Sequence, residues 1–228
     1  MLGSGQKWGI KLEYAIQEQA GGIAEAFLVG EDFIGDQGVA LILGDNIFYS
    51  QGMSDTLRNA SQNSEGATIF GYYVSNPGDY GIASLDEEGR PYKITEKHLK
   101  PDSNYAVTGL YFYDNSVIRK SKQISPSKRG ELEITDINQI YLEEGTLQLK
   151  ILSRGTAWMD TGKHRSLLDA ANFVRIIEER QGLKIACPEE IAYRTGLINL
   201  IQLEELCEEL PLCSYREYLE EIIERAPV

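Results

Sequence analysis

Short apolar runs that end in glycine or polar residues predict the strands of this chain, and the run at residues 39–43 is central among them. Its five residues, mostly branched, are too few for an isolated helix and are typical of a strand buried on both faces of a parallel sheet. The run stops at Gly44-Asp45-Asn46, which places a carboxylate at the strand's C-terminal end. Ligands bind at that edge in open α/β sheets. Asp45 is therefore a candidate site residue, and the alternative is that it only starts a turn or caps a helix.

The first third of the chain alternates between patterns of strand and helix. Apolar and polar residues alternate at residues 10–14, which predicts a strand, and helical spacing follows at residues 23–35. After the central run come a second helix carrying Met53 and Leu57 and a strand at residues 67–73. Such alternation implies crossover connections and a mostly parallel sheet.

The pattern changes after Tyr73. Short strands at residues 81–85 and 91–96 flank an acidic turn, which predicts a hairpin lying over the sheet. A long aromatic strand follows at residues 105–113, and Thr135 is placed to cap a helix. The last part of the chain reads as helices. We therefore predict an α/β core over residues 1–165 and a helical C-terminal portion over residues 166–228.

Composition narrows the possible partners. Lys and Arg number 22 against 35 Asp and Glu, so the net charge is -13 and the pI is about 4.7. Such a field repels nucleic acid and acidic membrane surfaces, but a small phosphorylated ligand fits if local cations neutralise it. No run approaches transmembrane length, and the first residues do not form a signal peptide. The three cysteines form no close pair, which favours reduced thiols and a cytoplasmic protein.

Two aspartates are candidates for metal binding. Asp45 and Asp160 both lie near glycine at the ends of predicted strands. Two carboxylates that converge from different strands would suit Mg²⁺, which takes one or two protein carboxylates and completes its shell with water and phosphate oxygens. The alternative is that both are solvated loop aspartates.

Other polar residues could bind a sugar phosphate. Glu96 could accept hydrogen bonds from hydroxyl groups, and Lys97 could place a point charge beside a phosphate, although a solvated pair is the alternative. Arg129, in a loop rich in Ser, Pro and Gly, is either a phosphate contact or a surface charge. His98 and His164 have no partners at ligand spacing and are interpreted as ordinary polar residues.

Several long segments together resemble the glucose-1-phosphate thymidylyltransferases, or dTDP-glucose pyrophosphorylases. The segments are ALILGDNIFY, the Glu96-Lys97 pair, NYAVTGLYFYDN, SKRGELEITDIN, AWMDTG and GLKIACPEEIAYR. GDN and the Glu-Lys pair are shared with other sugar nucleotidyltransferases, whereas GELEITDIN and KIACPEEIAYR point to the thymidylyl branch. The resemblance implies a Rossmann-like, GT-A-like fold with a mixed, mostly parallel sheet flanked by helices.

The resemblance also implies roles for individual residues. Asp45 and Asp160 would hold the catalytic Mg²⁺, and Lys97 and Arg129 would contact the sugar phosphate. The substrate-binding set would be Gln17 and Gly22 on the nucleotide, with Asn46, Tyr80, Gly81, Glu96, Lys97 and Val107 on the rest of the substrates. A regulatory nucleotide site for feedback inhibition at a subunit interface would comprise Tyr49, Ala186, Glu190, Ile191 and Arg194.

The implied reaction is Mg²⁺-dependent nucleotidyl transfer. Glucose 1-phosphate would react with dTTP to give dTDP-glucose and pyrophosphate, as in dTDP-rhamnose and polysaccharide biosynthesis, in a cytoplasmic homotetramer. Family members begin with a strand and a glycine-rich loop that holds the triphosphate, and no G-x-G-T-R-L-like stretch occurs in this chain. The resemblance therefore implies an N-terminally truncated member that lacks its first βα unit, exposes a sheet edge and has little activity alone.

Two alternatives remain open on the sequence. One is a related uridylyl- or adenylyl-transferring enzyme, since part of the base pocket would lie in the absent loop. The other is a non-catalytic regulatory or binding subunit. Two local departures bear on the site: His98 follows the Glu-Lys pair where the family usually has Pro, and Ser50 stands where glycine is common.

Overall fold

The computed structural model describes residues 2–97 and 101–226, so His98 lies outside the described residues. The chain forms two compact units, which we name the sheet unit (Ala15–Leu167) and the terminal unit (Met1–Tyr14 with Leu168–Val228). The beginning of the chain thus belongs to the same unit as the C-terminal helices.

The elements have the following bounds. The strands are β1 Val39–Ile42, β2 Asn46–Tyr49, β3 Ala67–Tyr73, β4 Ile82–Leu85, β5 Pro91–Thr95, β6 Tyr105–Tyr113, β7 Leu147–Ile151 and β8 Ala157–Asp160. The α-helices are α1 Ala26–Val29, α2 Glu31–Ile34, α3 Met53–Ser61, α4 Ser116–Ser121, α5 Ile134–Glu143, α6 His164–Gln181, α7 Pro188–Arg194, α8 Leu200–Glu208 and α9 Ser214–Glu224. Short 3₁₀ helices occupy Gln6–Trp8, Ile23–Glu25 and Pro77–Asp79.

A mixed sheet forms the centre of the sheet unit. One edge of the long strand β6 pairs with β3, and its other edge pairs with β1 and β4. Because β1, β3 and β4 are all antiparallel to β6, and β7 is parallel to β3, four of the six strands in the described sheet share one direction. The predicted mixed, mostly parallel sheet is confirmed in this sense. Most hydrogen-bonded neighbours are nevertheless antiparallel, because β6 lies between strands of the opposite direction.

The strand β1 differs from its prediction. Leu41 packs towards the main core, whereas the Ile42 side chain is 60% exposed, so the strand is buried on one face only. Among the described residues its ladder partner is β6, to which it runs antiparallel. The uninterrupted apolar run therefore predicted the strand correctly but its burial and its direction relative to its neighbour incorrectly.

Three other predictions of local structure are wrong. Residues 10–14 form no strand, because no described strand forms a ladder with them, and Tyr14 is 71% exposed. The hairpin of β4 and β5 does not lie over the sheet but extends it, since β4 pairs with β6. Thr135 does not cap a helix, because α5 begins one residue earlier and the Thr135 hydroxyl donates to Glu96 Oε2 at 2.5 Å.

Apolar residues cover both faces of the sheet. The larger cluster packs α1, α4 and α5 against one face and includes Phe27, Ile69 and Tyr141. The cluster on the other face joins Ala60 of α3 to Phe70 of β3 and to neighbouring residues. Burial of large apolar side chains on both sides stabilises the sheet and fixes the strand ends that carry polar residues.

The terminal unit has its own core around Trp8, Cys187, Leu203 and Leu219. The buried carboxylate of Glu189 accepts hydrogen bonds from Trp8 Nε1 at 3.3 Å and from the Tyr215 hydroxyl at 2.6 Å. Cys187 and Cys207 are buried free thiols, and Cys213 is exposed. Across residues 2–97 and 101–226, no helix is both long enough and apolar enough to cross a membrane.

Candidate active site

The two-stranded ladder of β2 and β8 brings the predicted metal ligands together. Asn46, the first residue of β2, is opposite Asp160, the last residue of β8. Asp45 directly precedes β2, so both carboxylates lie at the same end of this ladder despite their distance along the chain. The backbone oxygen of Asp45 accepts two hydrogen bonds of 2.8 Å from Thr161, one from its N and one from its Oγ1. These bonds tie the two strand ends to each other.

The absence of a side chain at Gly162 leaves a space next to both carboxylates. A Cβ atom built at this glycine would lie 3.0 Å from Asp160 Oδ1 and 3.3 Å from Asp45 Oδ2. Both oxygens therefore face one small space, which any larger side chain at this position would fill. No group of three or more His, Cys, Asp or Glu side chains is placed to hold a metal in the described part of the chain. Two carboxylates with room for water and phosphate oxygens fit Mg²⁺ rather than a fully protein-ligated metal.

A cavity of about 190 Å³ lies beside these carboxylates. Its lining collects most of the residues predicted for the sugar phosphate. These are Asn46, Tyr80, Gly81, Glu96, Lys97, Val107, Arg129 and Asp160. The structure thus gathers residues from β2, β6, β8 and three loops into one polar pocket.

Arg129 lines this pocket and pairs there with acidic side chains. Its guanidinium donates to Glu133 Oε2 at 2.8 Å and to Glu133 Oε1 at 2.9 Å, and lies 3.7 Å from Glu96. The hydrogen bond that Arg129 donates to Glu133 is the main cause that raises the pKa of Arg129. Asp136 also lies in this acidic region, where burial and then the charges of Glu133 and Glu96 raise its pKa. A phosphate that binds Arg129 would have to compete with the Glu133 carboxylate.

Tyr80 also lines the pocket. Its ring packs against Trp158 with centroids 5.1 Å apart. Burial first, and then the charges of Asp160 and Asp79, raise the pKa of Tyr80. The phenol therefore keeps its proton at neutral pH and can donate a hydrogen bond. Asp79 itself pairs with Lys163 at 3.0 Å.

The predicted nucleotide contacts Gln17 and Gly22 belong to the same unit but do not line the pocket. Gln17 is exposed, and its Nε2 donates to the Gly22 carbonyl oxygen at 3.1 Å. Gly22 has φ 98°, and a Cβ atom there would lie 2.3 Å from the Leu132 carbonyl oxygen. Backbone packing is thus enough to explain the glycine at this position.

The residues predicted for a regulatory site fall in different units. Ala186 and Ile191 line an apolar cavity of about 350 Å³ in the terminal unit. In the same unit Arg194 Nε donates to Glu190 Oε1 at 2.6 Å. Tyr49 lies on β2 in the sheet unit. Ala186 has φ 54°, an uncommon backbone conformation for a residue with a side chain.

The pocket residues that sequence reasoning missed include Glu133, Thr135 as a partner of Glu96, and Trp158. The period of two along a strand could have found Trp158, because it precedes Asp160 by two residues on β8 and so shares its face. Nothing in the local sequence places Glu133 against Arg129, since the spacing of four residues predicts contact only within a helix, and Arg129 lies in a loop.

Comparison with known proteins identifies the family. The family model "Nucleotidyl transferase" matches residues 1–176. A glucose-1-phosphate thymidylyltransferase of Xanthomonas campestris pv. campestris (strain B100) is 50% identical over 228 residues, which is 100% of this chain and 77% of that relative. One of Mycolicibacterium smegmatis is 50% identical over 225 residues, or 99% of this chain and 78% of the relative.

Solved structures agree with these sequence matches. A crystal structure from Bacillus anthracis, described as that of a glucose-1-phosphate thymidylyltransferase in complex with a sucrose, matches with a TM-score of 0.68 and 42% identity. The match covers 76% of this chain and 69% of that one. A UDP-glucose pyrophosphorylase matches with a TM-score of 0.60 at 23% identity over 71% of this chain and 65% of its own, which supports the fold alone. The chain therefore belongs to the glucose-1-phosphate thymidylyltransferase family of nucleotidyl transferases.

Proposed function

We propose that this chain binds the sugar phosphate and the metal ion of an enzyme that forms dTDP-glucose and pyrophosphate from dTTP and glucose 1-phosphate with Mg²⁺. The observation that carries the proposal is the approach of Asp45 and Asp160 to one space beside Gly162, at the rim of a pocket that also contains Glu96 and Arg129. Two carboxylates, hydroxyl acceptors and a cation in one pocket suit a sugar phosphate whose negative charge is shared with a metal ion.

Each group in the pocket has a role in this proposal. Glu96 accepts hydrogen bonds from glucose hydroxyl groups, and the backbone at Gly81 and Val107 approaches the sugar closely because these positions are small or extended. Lys97 and Arg129 bind the phosphate of glucose 1-phosphate. Asn46 and Tyr80 complete the substrate-binding set, and Gln17 and Gly22 contact the thymine nucleotide.

The reaction follows from these positions. A phosphate oxygen of glucose 1-phosphate attacks the α-phosphorus of dTTP, and the bond from that phosphorus to the bridging oxygen breaks as pyrophosphate leaves. The nucleophile is already an anion, so no general base is required. Arg129 and Lys97 hold the nucleophile in line and offset its charge. When bound, Mg²⁺ held by Asp45 and Asp160 would neutralise charge on the phosphates.

Arg129 changes partners in this scheme. Glu133 holds its guanidinium with two hydrogen bonds and keeps it inside the pocket. An incoming phosphate accepts the same donors and displaces the carboxylate in part. The acidic groups around Arg129 therefore favour a ligand that brings its own counter-charge, such as a magnesium-bound phosphate.

The broader setting is also a proposal. It comprises a cytoplasmic homotetramer in dTDP-rhamnose biosynthesis and feedback inhibition by a nucleotide at Tyr49, Ala186, Glu190, Ile191 and Arg194. The acidic net charge of -13 supports a small-molecule substrate over nucleic acid or a membrane surface.

Calorimetric titration of glucose 1-phosphate into the chain with Mg²⁺ tests the proposal. Arg129→Gln should weaken binding about tenfold, because a charge-assisted contact contributes on the order of 1.5–3 kcal/mol. Arg119→Gln, which removes an exposed arginine of α4, is the matched control and should change nothing. Equal effects of the two substitutions, or equal affinity for glucose 6-phosphate, would contradict the proposed pocket.

A second titration distinguishes a thymidylyl-transferring enzyme from a uridylyl-transferring relative. The chain should bind dTDP-glucose in preference to UDP-glucose if it is a thymidylyl enzyme. A preference for UDP-glucose would instead support a uridylyl-transferring relative.

A further inference from the structure

The side chain of Asn46 lies among three groups at the candidate metal site. Its Oδ1 accepts hydrogen bonds from the indole Nε1 of Trp158 at 2.7 Å and from the backbone N of Gly109 at 3.0 Å. Its Nδ2 donates to Asp45 Oδ1 at 2.8 Å. An indole N–H and a backbone N–H can only donate, so the amide oxygen must face them. The orientation of the amide is thereby fixed, and its N–H group must point towards Asp45.

The surrounding side chains leave this amide no other position. A Cβ atom at Gly109 would lie 2.7 Å from Asn46 Oδ1 and 2.8 Å from its Nδ2, so only glycine admits the amide against β6. Trp158 is 9% exposed and is held between the rings of Tyr72 and Tyr80, with centroids 5.6 and 5.1 Å away. The donor that orients Asn46 is therefore itself fixed by packing.

The two oxygens of Asp45 are divided between different neighbours. Oδ1 accepts the hydrogen bond from Asn46, whereas Oδ2 faces the space at Gly162 that Asp160 also faces. Asp45 is exposed and lies in the short connection between β1 and β2, so burial does not fix its side chain. A neutral donor on Oδ1 fixes the carboxylate without cancelling the negative charge that attracts a cation.

We infer that Asn46 is a positioning residue that aims Asp45 Oδ2 at a divalent cation, and that Trp158 acts through Asn46. The inference rests on the proposed function, because it requires that Asp45 and Asp160 hold the cation. It assigns Asn46 a task distinct from the substrate contact implied by the family resemblance. The measurable consequence is that Asn46 and Trp158 affect metal affinity as one unit.

Binding of Mn²⁺, followed by electron paramagnetic resonance of the free ion, provides the first test. Asn46→Ala should weaken Mn²⁺ binding about tenfold, in the range usual for residues that orient a metal ligand. Trp158→Phe keeps a ring but removes the donor, and should weaken it less. The double variant should bind no worse than Asn46→Ala alone, because both changes break the same chain of contacts.

A matched control removes another amide. Asn63 lies in the sheet unit and donates to Thr68 and Gln148, and Asn63→Ala should leave Mn²⁺ affinity unchanged. Circular dichroism of every variant confirms that the fold is kept. If Asn46→Ala is unfolded, Trp158→Phe still decides, since an unchanged affinity in that variant would overturn the role of Trp158.

The indole N–H groups provide a readout independent of affinity. The chain has two tryptophans, so Trp8→Phe assigns the two N–H resonances. Titration with Mg²⁺ should shift the Trp158 resonance and not that of Trp8, because the metal pulls on Asp45 and hence on Asn46. In Asn46→Ala the Mg²⁺-dependent shift should be lost. A Trp158 resonance that still moves with Mg²⁺ in Asn46→Ala would contradict the inference.

Asp160→Asn distinguishes an error in the proposed metal site from an error in the proposed role of Asn46. If this substitution leaves Mn²⁺ binding unchanged, or the unsubstituted chain binds no Mn²⁺, the proposed metal site is wrong and the positioning role falls with it. If Asp160→Asn abolishes binding while Asn46→Ala and Trp158→Phe do not weaken it, the metal site stands and only the role of Asn46 is wrong.

Discussion

At the scale of single residues, the candidate site depends on the missing side chain of one glycine as much as on the charged groups around it. Gly162 carries no side chain, and the two carboxylate oxygens face the space that a methyl group would occupy. Its φ lies outside the left-handed region, so alanine fits the backbone and only the space is lost. A substitution at this glycine can therefore test the proposed metal site without changing the fold.

Gly162→Ala should lower the affinity for Mn²⁺ by about tenfold or more while the melting temperature stays within a few degrees, because the methyl group enters the space between the carboxylates. Mn²⁺ titration and thermal unfolding measure the two effects. Gly44→Ala is the control, since a Cβ atom there meets nothing within 4 Å. Equal Mn²⁺ affinities in the two variants would show that the space at Gly162 is not the metal site.

The residue scale also shows what the sequence could and could not predict about the site. Asp45 and Asp160 were predicted as site residues because each lies near a glycine at the end of a predicted strand, and a strand end is a position that periodicity locates. The contact of Glu133 with Arg129 was not identified, because it depends on how a loop folds back on the start of α5. Contacts within loops are set by tertiary packing and leave no period in the sequence.

At the scale of elements, one carboxylate joins three parts of the sheet unit. Asp114 follows β6 and accepts hydrogen bonds from the Ser116 hydroxyl at 2.5 Å, from the Tyr141 hydroxyl at 2.7 Å, from Gly66 N at 2.7 Å and from Ser116 N at 3.0 Å. Burial opposes the charged form, but these hydrogen bonds outweigh it and lower the pKa of Asp114. The ionised carboxylate therefore stabilises the junction of β6, α4 and α5.

Asp114→Asn should lower the free energy of unfolding at pH 7 by about 2 kcal/mol, because charge-assisted hydrogen bonds contribute on the order of 1.5–3 kcal/mol. A lowered pKa means that this stabilisation is complete above the unfolded value of about 3.9 and is lost as the pH falls through the folded value. The difference between wild type and variant in urea unfolding should thus shrink below about pH 4.

Asp102→Asn is the control for this prediction, since Asp102 forms an exposed pair with Lys93 at 3.1 Å. It should cost less than about 0.5 kcal/mol at pH 7. A difference for Asp114→Asn that stays constant from pH 7 to pH 3 would show that folding does not lower the pKa of Asp114.

Helices and strands were predictable where the segment's own sequence pattern determines its structure. They were not predictable where pairing with another segment determines it. The strand at Tyr105–Tyr113 and the helix at Pro188–Arg194 were located from pattern and proline position. Residues 10–14 carry an alternating pattern but pair with no described strand, and β2 was missed because its four residues become a strand only through β8. A strand forms only when a second strand pairs with it, so the sequence pattern of one segment does not identify its partner.

At the scale of the whole molecule, strand order was harder to predict than fold class. Alternating helices and strands correctly indicated a mixed α/β sheet. The insertion of β6 between β3 on one side and β1 and β4 on the other comes from long-range pairing, which no local signal encodes. The same strand carries Val107 and Gly109 to the pocket, so the unpredicted topology is also what assembles the site.

The whole molecule also shows an uneven distribution of the groups that nucleotidyl transfer needs. In the proposed function the pocket would bind a sugar, its phosphate and a metal ion, and Arg129 and Lys97 are cations in its lining. A triphosphate needs several backbone N–H groups and further cations in one loop, and no glycine-rich stretch with an arginine of that kind occurs among these 228 residues. Binding of glucose 1-phosphate and turnover should therefore be separable in this polypeptide.

The purified 228-residue polypeptide should bind glucose 1-phosphate yet release little or no pyrophosphate from dTTP, because the nucleophile is positioned but the leaving group is not stabilised. A coupled assay of pyrophosphate release, run beside calorimetric titration on the same sample, measures both properties. The relative from Xanthomonas campestris, which is 50% identical, is the positive control for the assay. Turnover comparable to that relative would show that residues within this chain hold the triphosphate, and Lys163, exposed beside Asp160 and paired with Asp79, would be the first cation to substitute.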